Sequence, residues 1–263
     1  MDKTEQILSE LSFIERSEGV RVLFACESGS RAWGFASPDS DYDVRFVYVR
    51  PVKGYLRLEK TRAVIEWPDM GQMIDDMDIV GWDLCKFLRL MRGSNPAVFE
   101  WLGSPIVYRE DAHLDLVRRA SRDCFLPEKS AHHYTHMAMD NYNEHMRGDS
   151  ARLKKVLYVI RSILAARHVM KRFSVPPVPF ETLADRYLEP EMAPIVDEML
   201  DLKRSSDEDY VFSPESHPEM LEKCQKWVLE SLETLNQDVL TIRKHEECRW
   251  DDLNDVFWQL LGL

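Results

Sequence analysis

A chain of 263 residues with 44% hydrophobic, 10% aromatic and 30% charged side chains can bury real cores and has room for two ordinary domains, which excludes disorder, collagen-like repeats and a disulfide scaffold. The formal charge of −12 argues against a protein that coats nucleic acid by bulk electrostatics. No apolar run reaches membrane-spanning length, and the polar start MDKTEQILSE lacks the basic end and apolar stretch of a signal peptide, so a cytoplasmic protein with no membrane partner is expected.

In chain order, Ile7, Leu8, Leu11, Phe13 and Ile14 recur at helical spacing and predict a helix over 4–18, stopped by Glu18-Gly19. Residues 20–26 form the apolar, β-branched run of a buried strand and end in the turn Ser28-Gly29-Ser30. After the breaker ASPDS at 36–40, alternation returns as a second strand over 41–49. A third strand is expected over 73–82, although its carboxylates suit a strand poorly. Asp83 then caps an amphipathic helix running to 90 or 91, and Ser94-Asn95-Pro96 opens a short helix to Trp101.

Beyond a short apolar stretch at 106–108, helical patterns fill 111–123, 128–147, 150–171, 191–203, 215–243 and 251–261. The chain therefore divides near 110–125 into an α/β half and an all-helical half, with domains expected over 1–120 and 121–263. Cys26, Cys85, Cys124, Cys224 and Cys248 are odd in number, far apart and without a CxxC pair, and are read as reduced thiols.

Local charge departs from the global balance. Residues 150–180 contain no Asp or Glu but carry Arg152, Lys154, Lys155, Arg161, Arg167, Lys171 and Arg172. Lys154, Tyr158 and Arg161 fall at i, i+4 and i+7, so they share a helix face that is expected to meet a nucleotide's phosphates; the alternative is a solvated cationic face.

The stretch ESGSRAWGFASPDSDYDVRFVYV at 27–49 carries the chemistry. Side chains alternate on a strand, so Asp41 and Asp43 project to one face with Arg45 after them. Two neighbouring carboxylates repel unless a cation lies between them, and oxygen-only ligation suits Mg²⁺, with Mn²⁺ as the alternative ion. Gly29 permits close backbone approach, and Ser30 opens a turn whose N–H groups can attract a polyphosphate. Arg31 and Arg45 either meet a phosphate or balance the carboxylates, while Trp33 and Phe35 are read as packing residues. A phosphate cradle beside paired carboxylates is equipment for nucleotidyl transfer, in which a metal activates the attacking hydroxyl and stabilises leaving pyrophosphate.

Gly-Ser, ten residues and then DxD resembles the signature of the DNA polymerase β nucleotidyltransferase superfamily. GSRAWGF with SDYDVRFVYV, DIVGWDLCKFLRLMRGSNPAVFEWLGSPIVY, KKVLYVIRSILAARHV and VPPVPF resembles, in patches over about 20–185, the RNA-ligase-associated polymerase-β-like (YcgL/RlaP) family. The resemblance implies an α+β fold: an N-terminal polymerase-β-like palm, a mixed sheet with flanking helices, followed by an all-helical domain. It also implies a third carboxylate on a neighbouring strand. Asp75, Asp76, Asp78 and Asp83 are available, and the family's DIVGWDL segment favours Asp78 as the third metal ligand and catalytic carboxylate, ahead of Asp76, with Asp83 or Glu66 next.

The expected catalytic and metal residues are thus Asp41, Asp43 and Asp78, and the expected nucleotide contacts are Gly29, Ser30, Arg31, Lys154, Tyr158 and Arg161. The activity expected is Mg²⁺-dependent transfer of a nucleoside monophosphate from an NTP, ATP among them, to a hydroxyl of an RNA end, single strand or nucleotide. Transfer of AMP to a protein acceptor, as in antitoxin-like relatives, and a silent nucleotide-binding module are the alternatives.

Overall fold

The computed structural model describes residues 2–68, 76–213, 217 and 219–263. Its elements are α1 (Lys3–Glu18), β1 (Arg21–Glu27), α2 (Gly29–Trp33), β2 (Tyr42–Val49), α3 (Val52–Tyr55), β3 (Val64–Trp67), β4 (Met77–Asp83), α4 (Leu84–Arg92), α5 (Pro96–Leu102), β5 (Val107–Glu110), α6 (Leu114–Cys124), α7 (Pro127–His145), β6 (Ala151–Arg152), α8 (Leu153–Arg172), α9 (Phe180–Tyr187), α10 (Ala193–Ser205), β7 (Val211–Phe212), α11 (Met220–Asp238) and α12 (Trp250–Leu261). The fold is α+β. It comprises two compact units, one of residues 1–32, 41–125 and 246–263 and the other of 33–40 and 126–245.

The first unit is built on a mixed sheet of order β3-β4-β2-β1-β5. β2 and β4 run parallel and the other pairings are antiparallel. Alternation along β2 sends Val44, Phe46 and Tyr48 to one face, where they join Met77 and Ile79 of β4 beneath Ile7, Leu11 and Ile14 of α1. On the opposite face, α4 lies over β2 and β4, and α5 over β1. There the Trp82 ring lies 4.0 Å from that of Trp101. The capping chemistry read from the sequence is present: Asp83 accepts from the N–H of Cys85 at 2.8 Å, and Asn95 from that of Ala97 at 3.0 Å.

Three features depart from expectation. Asp76 adopts a left-handed conformation (φ 67°), so the extended run begins at Met77; the expected strand start at 73–75, Asp75 included, lies outside the described residues. The short strand β3 went unread because only four residues pair, at the sheet edge. Cys124 and Cys248 are not reduced thiols but form a disulfide between the end of α6 and the approach to α12, Cα atoms 5.1 Å apart. Their 124-residue separation hides that pairing from any local spacing rule, while Cys26, Cys85 and Cys224 are free.

The second unit gathers around α8, whose Val156, Leu157, Ile160, Ile163, Leu164 and Val169 are fully buried. α7, α9, α10 and α11 pack on it. The missing acidic residues of 150–180 are supplied from elsewhere: Glu208 faces Lys154 at 3.4 Å, Asp209 faces Arg152 at 3.1 Å, and Glu189 faces Arg167 at 2.8 Å. Among the described residues no helix is long and apolar enough to cross a membrane.

Gly81 lies directly under Phe46, its register partner on β2, and a Cβ there would come within 2.2 Å of the ring. Gly81→Ala is therefore expected to cost about 1–3 kcal/mol through overpacking. Urea unfolding checks this, and adding Phe46→Leu is expected to recover part of the loss because the two sites are coupled.

Candidate active site

The site forms where β1 ends beside the starts of β2 and β4. β1 terminates in Glu27, an acid only 1% exposed. Its carboxylate accepts the N–H of Asp43 at 2.7 Å, while the N–H of Ser28 donates to the Asp43 carbonyl at 2.9 Å. Both main-chain groups of Asp43 are thus held by the end of β1. Tyr108 donates its hydroxyl to Glu27, and Ser104 Oγ donates to the Glu27 carbonyl at 2.6 Å. Burial pushes the Glu27 carboxyl above the usual carboxylate range, opposed by the Tyr108 and Asp43 donors; burial and the neighbouring Glu27 raise the Tyr108 phenol. Glu27 and Tyr108 were not singled out from the sequence. The available signal was an acid closing an otherwise apolar strand immediately before a Gly-Ser turn.

Gly29 follows with φ +60°, and a Cβ there would stand 2.1 Å from Asp43 Oδ2. A side chain is excluded both by the backbone conformation and by the carboxylate against it. Ser30, 4% exposed, is the second residue of the single-turn helix α2. Arg31 is held from two sides: Nε donates to the Asp41 carbonyl at 3.1 Å, and its guanidinium lies 3.8 Å from the Tyr42 ring centroid.

Asp43 and Asp78 are register partners in the parallel pairing of β2 with β4, so their side chains leave the same face side by side. Arg45 bridges them, with Nη2 donating to Asp43 Oδ1 and to Asp78 Oδ2 at 2.8 Å each. Asp41 stands two residues before Asp43, just ahead of the first residue of β2, and its carbonyl accepts from Arg31. Asp76 is engaged by Lys3 at 2.6 Å; Asp83 caps α4 and accepts from Tyr55 at 3.1 Å; Glu66 pairs across from Val80 on the edge strand β3. Among the described candidates for a third carboxylate, Asp76, Asp78, Asp83 and Glu66, the strand pairing brings Asp78 beside Asp43.

Among the described residues, no three His, Cys, Asp or Glu side chains converge closely enough to hold a metal as they stand. Arg45 supplies the cation between Asp43 and Asp78. The donor set nevertheless fits a hard divalent ion: all ligands are oxygens, and two of them already share one positive group.

In the helical unit, Lys154, Tyr158 and Arg161 are all engaged. Lys154 faces Glu208; the Tyr158 ring meets Trp33 edge-on at 4.9 Å; Arg161, 2% exposed, stacks over Trp33 at 4.3 Å and donates to the Val178 carbonyl at 3.3 Å. Phe35 is 1% exposed and packs edge-on against Phe180 at 5.4 Å.

The buried acid-braced turn, the glycine against a carboxylate and the paired aspartates thus lie together at one end of the sheet, in a protein of the DNA polymerase β class. The chain belongs to the RlaP family, the RNA repair pathway DNA polymerase beta family, whose model matches residues 4–259. YcgL of Bacillus subtilis strain 168 is 43% identical to it over 206 residues, 78% of each chain. A solved nucleotidyltransferase-like protein from Exiguobacterium sibiricum 255-15 aligns with 97% of this chain and 80% of its own at 12% identity, with a TM-score of 0.35.

Gly29→Ala is expected to push the Asp43 carboxylate from its place while the sheet persists. Urea unfolding beside circular dichroism should show a loss of about 1–3 kcal/mol with little change in native secondary structure; unaltered stability would show that the close approach is incidental. For the helical residues, Arg161→Ala is expected to lower stability by about 2–4 kcal/mol, since it removes a buried stacked cation and leaves a cavity. Lys154→Ala is expected to cost about 1 kcal/mol or less. Parallel denaturant titrations separate the two.

Proposed function

We propose that this chain is a divalent-metal-dependent nucleotidyltransferase that moves a nucleoside monophosphate from an NTP to a hydroxyl acceptor and releases pyrophosphate. The observation that carries the reading is the pairing of Asp43 with Asp78 on parallel neighbouring strands, bridged by one guanidinium nitrogen at 2.8 Å from each. Asp41, Asp43 and Asp78 would hold Mg²⁺, or Mn²⁺ in its place. When bound, that ion lowers the pKa of the attacking hydroxyl and offsets charge on the phosphates.

The remaining work falls to the chain. The Gly29-Ser30 turn offers backbone approach and a hydroxyl to the triphosphate, and Arg31 adds a positive group fixed by Tyr42. Glu27, itself held by Tyr108, keeps Asp43 in register together with Ser28 by holding its main chain, so the carboxylate does not shift as charge develops. Asp78 is assigned to orient the acceptor hydroxyl and to receive its proton.

An RNA end is the acceptor we favour, supported by the RNA repair pathway in the family's description. Each α-³²P-labelled NTP, ATP first, incubated with Mg²⁺ or Mn²⁺ and either RNA pools or cell lysate, tests the reading. Label on RNA supports it, label on a protein band moves the acceptor to a protein, and NTP binding without pyrophosphate release leaves a binding module. Asp41→Asn and Asp43→Asn are expected to abolish transfer in folded protein. Asp78→Asn is expected to retain triphosphate affinity within a few-fold while single-turnover transfer falls by roughly two orders of magnitude or more. Asp76→Asn should fall by less, because Asp76 faces Lys3 and asparagine tolerates its left-handed backbone.

A further inference from the structure

The carboxylate pair already has a cation, and that cation belongs to the chain. Arg45 is two residues beyond Asp43 on the same face of β2, and its side chain is 17% exposed. The two ends of its guanidinium have different partners. Nη2 donates to both carboxylates, Asp43 Oδ1 and Asp78 Oδ2, at 2.8 Å; Nη1 donates to two main-chain oxygens, Asp78 O at 2.9 Å and Val44 O at 3.2 Å. The main-chain contacts do not depend on the carboxylates, so Nη1 can stay attached while Nη2 leaves.

A divalent ion shared by Asp43 and Asp78 would bind their oxygens at about 2.0–2.6 Å, and therefore in the space that Nη2 fills. The two positive groups cannot occupy it together, so the guanidinium has to give up that position for a metal to bind. A triphosphate changes both sides of that balance. It offers a guanidinium planar, bidentate oxygen acceptors and arrives with its own chelated divalent ion.

We propose that Arg45 makes metal loading conditional on nucleotide: in the free protein its guanidinium keeps the metal's place between Asp43 and Asp78, and a polyphosphate bearing a divalent ion exchanges for it by taking the guanidinium as its own partner. This rests on the nucleotidyltransferase reading and assigns Arg45 as a positioning residue of that site. The free protein then binds Mg²⁺ or Mn²⁺ weakly, metal and NTP bind with positive coupling, and the coupling is reciprocal.

The test is Mn²⁺ binding, read from the electron paramagnetic resonance signal of free Mn²⁺, with and without a non-hydrolysable α,β-methylene NTP analogue. Arg45→Gln is expected to bind Mn²⁺ alone at least roughly tenfold more tightly than wild type, because a positive charge in contact with both ligands is gone. It is also expected to lose most of the tightening that the analogue gives wild type. Asp43→Asn in the Arg45→Gln background should return Mn²⁺ binding to the weak level, which locates the gain at this pair. Thermal melting establishes that each variant is folded, and Arg45→Met provides a second uncharged side chain if Arg45→Gln is unstable.

Equal Mn²⁺ affinity in folded wild type and Arg45→Gln overturns the inference, as does an analogue that leaves wild-type Mn²⁺ affinity unchanged while binding to the protein. Both results are compatible with active transfer. Failure of the transferase reading has a different signature, in which wild type neither binds the analogue nor transfers label under any condition.

Discussion

The parallel pairing of β2 with β4 is the constraint on which the rest of this site depends. It sets Asp43 opposite Asp78, and a parallel ladder sends both side chains to the same face. Two carboxylates in that position repel, and a positive group lies between them. Arg45 is placed to do so by the alternation that places Asp43, since residues two apart on one strand share a face. Charge balance and strand register are therefore one structural fact.

The two faces of the sheet divide the labour. Under α1, Val44, Phe46, Tyr48, Met77 and Ile79 form a closed apolar layer, so tight that position 81 accommodates no side chain. On the other face Trp82 and Trp101 pack ring against ring at a tilt, while at the strand starts Asp43 and Asp78 remain about one-third and nearly half exposed. A rigid, dry face supports a polar, accessible one, the usual means of holding charged groups in register. Glu27 extends this support into the site: an acid buried behind the turn, held by Tyr108 and spent on the main chain of Asp43.

Membership of the RlaP family agrees with a chain that is acidic as a whole yet places its cations singly. Arg31 lies on an aromatic ring, Arg161 on another, and Arg45 between carboxylates. Such cations act by position.

Much of this was legible in the residues themselves, because it is set by local periodicity and by spacing along the chain. The helix ended by Gly19, the strands on either side of the Gly-Ser turn, the Asp83 and Asn95 caps and the shared face of Asp43 and Arg45 all follow from alternation, helical spacing and turn chemistry. What only the tertiary structure decided depends on which segments meet. That Asp78 stands beside Asp43 depends on the register of β4 against β2, since one residue of slip reverses the face of every side chain. The carboxylates that face Lys154, Arg152 and Arg167 come from distant loops, so a segment basic in sequence is paired in the fold. Cys124 and Cys248 meet because the chain's last segment returns to α6, and Glu27 reaches Asp43 because β1 and β2 are paired antiparallel; neither contact has any signature at the sequence separation over which it forms.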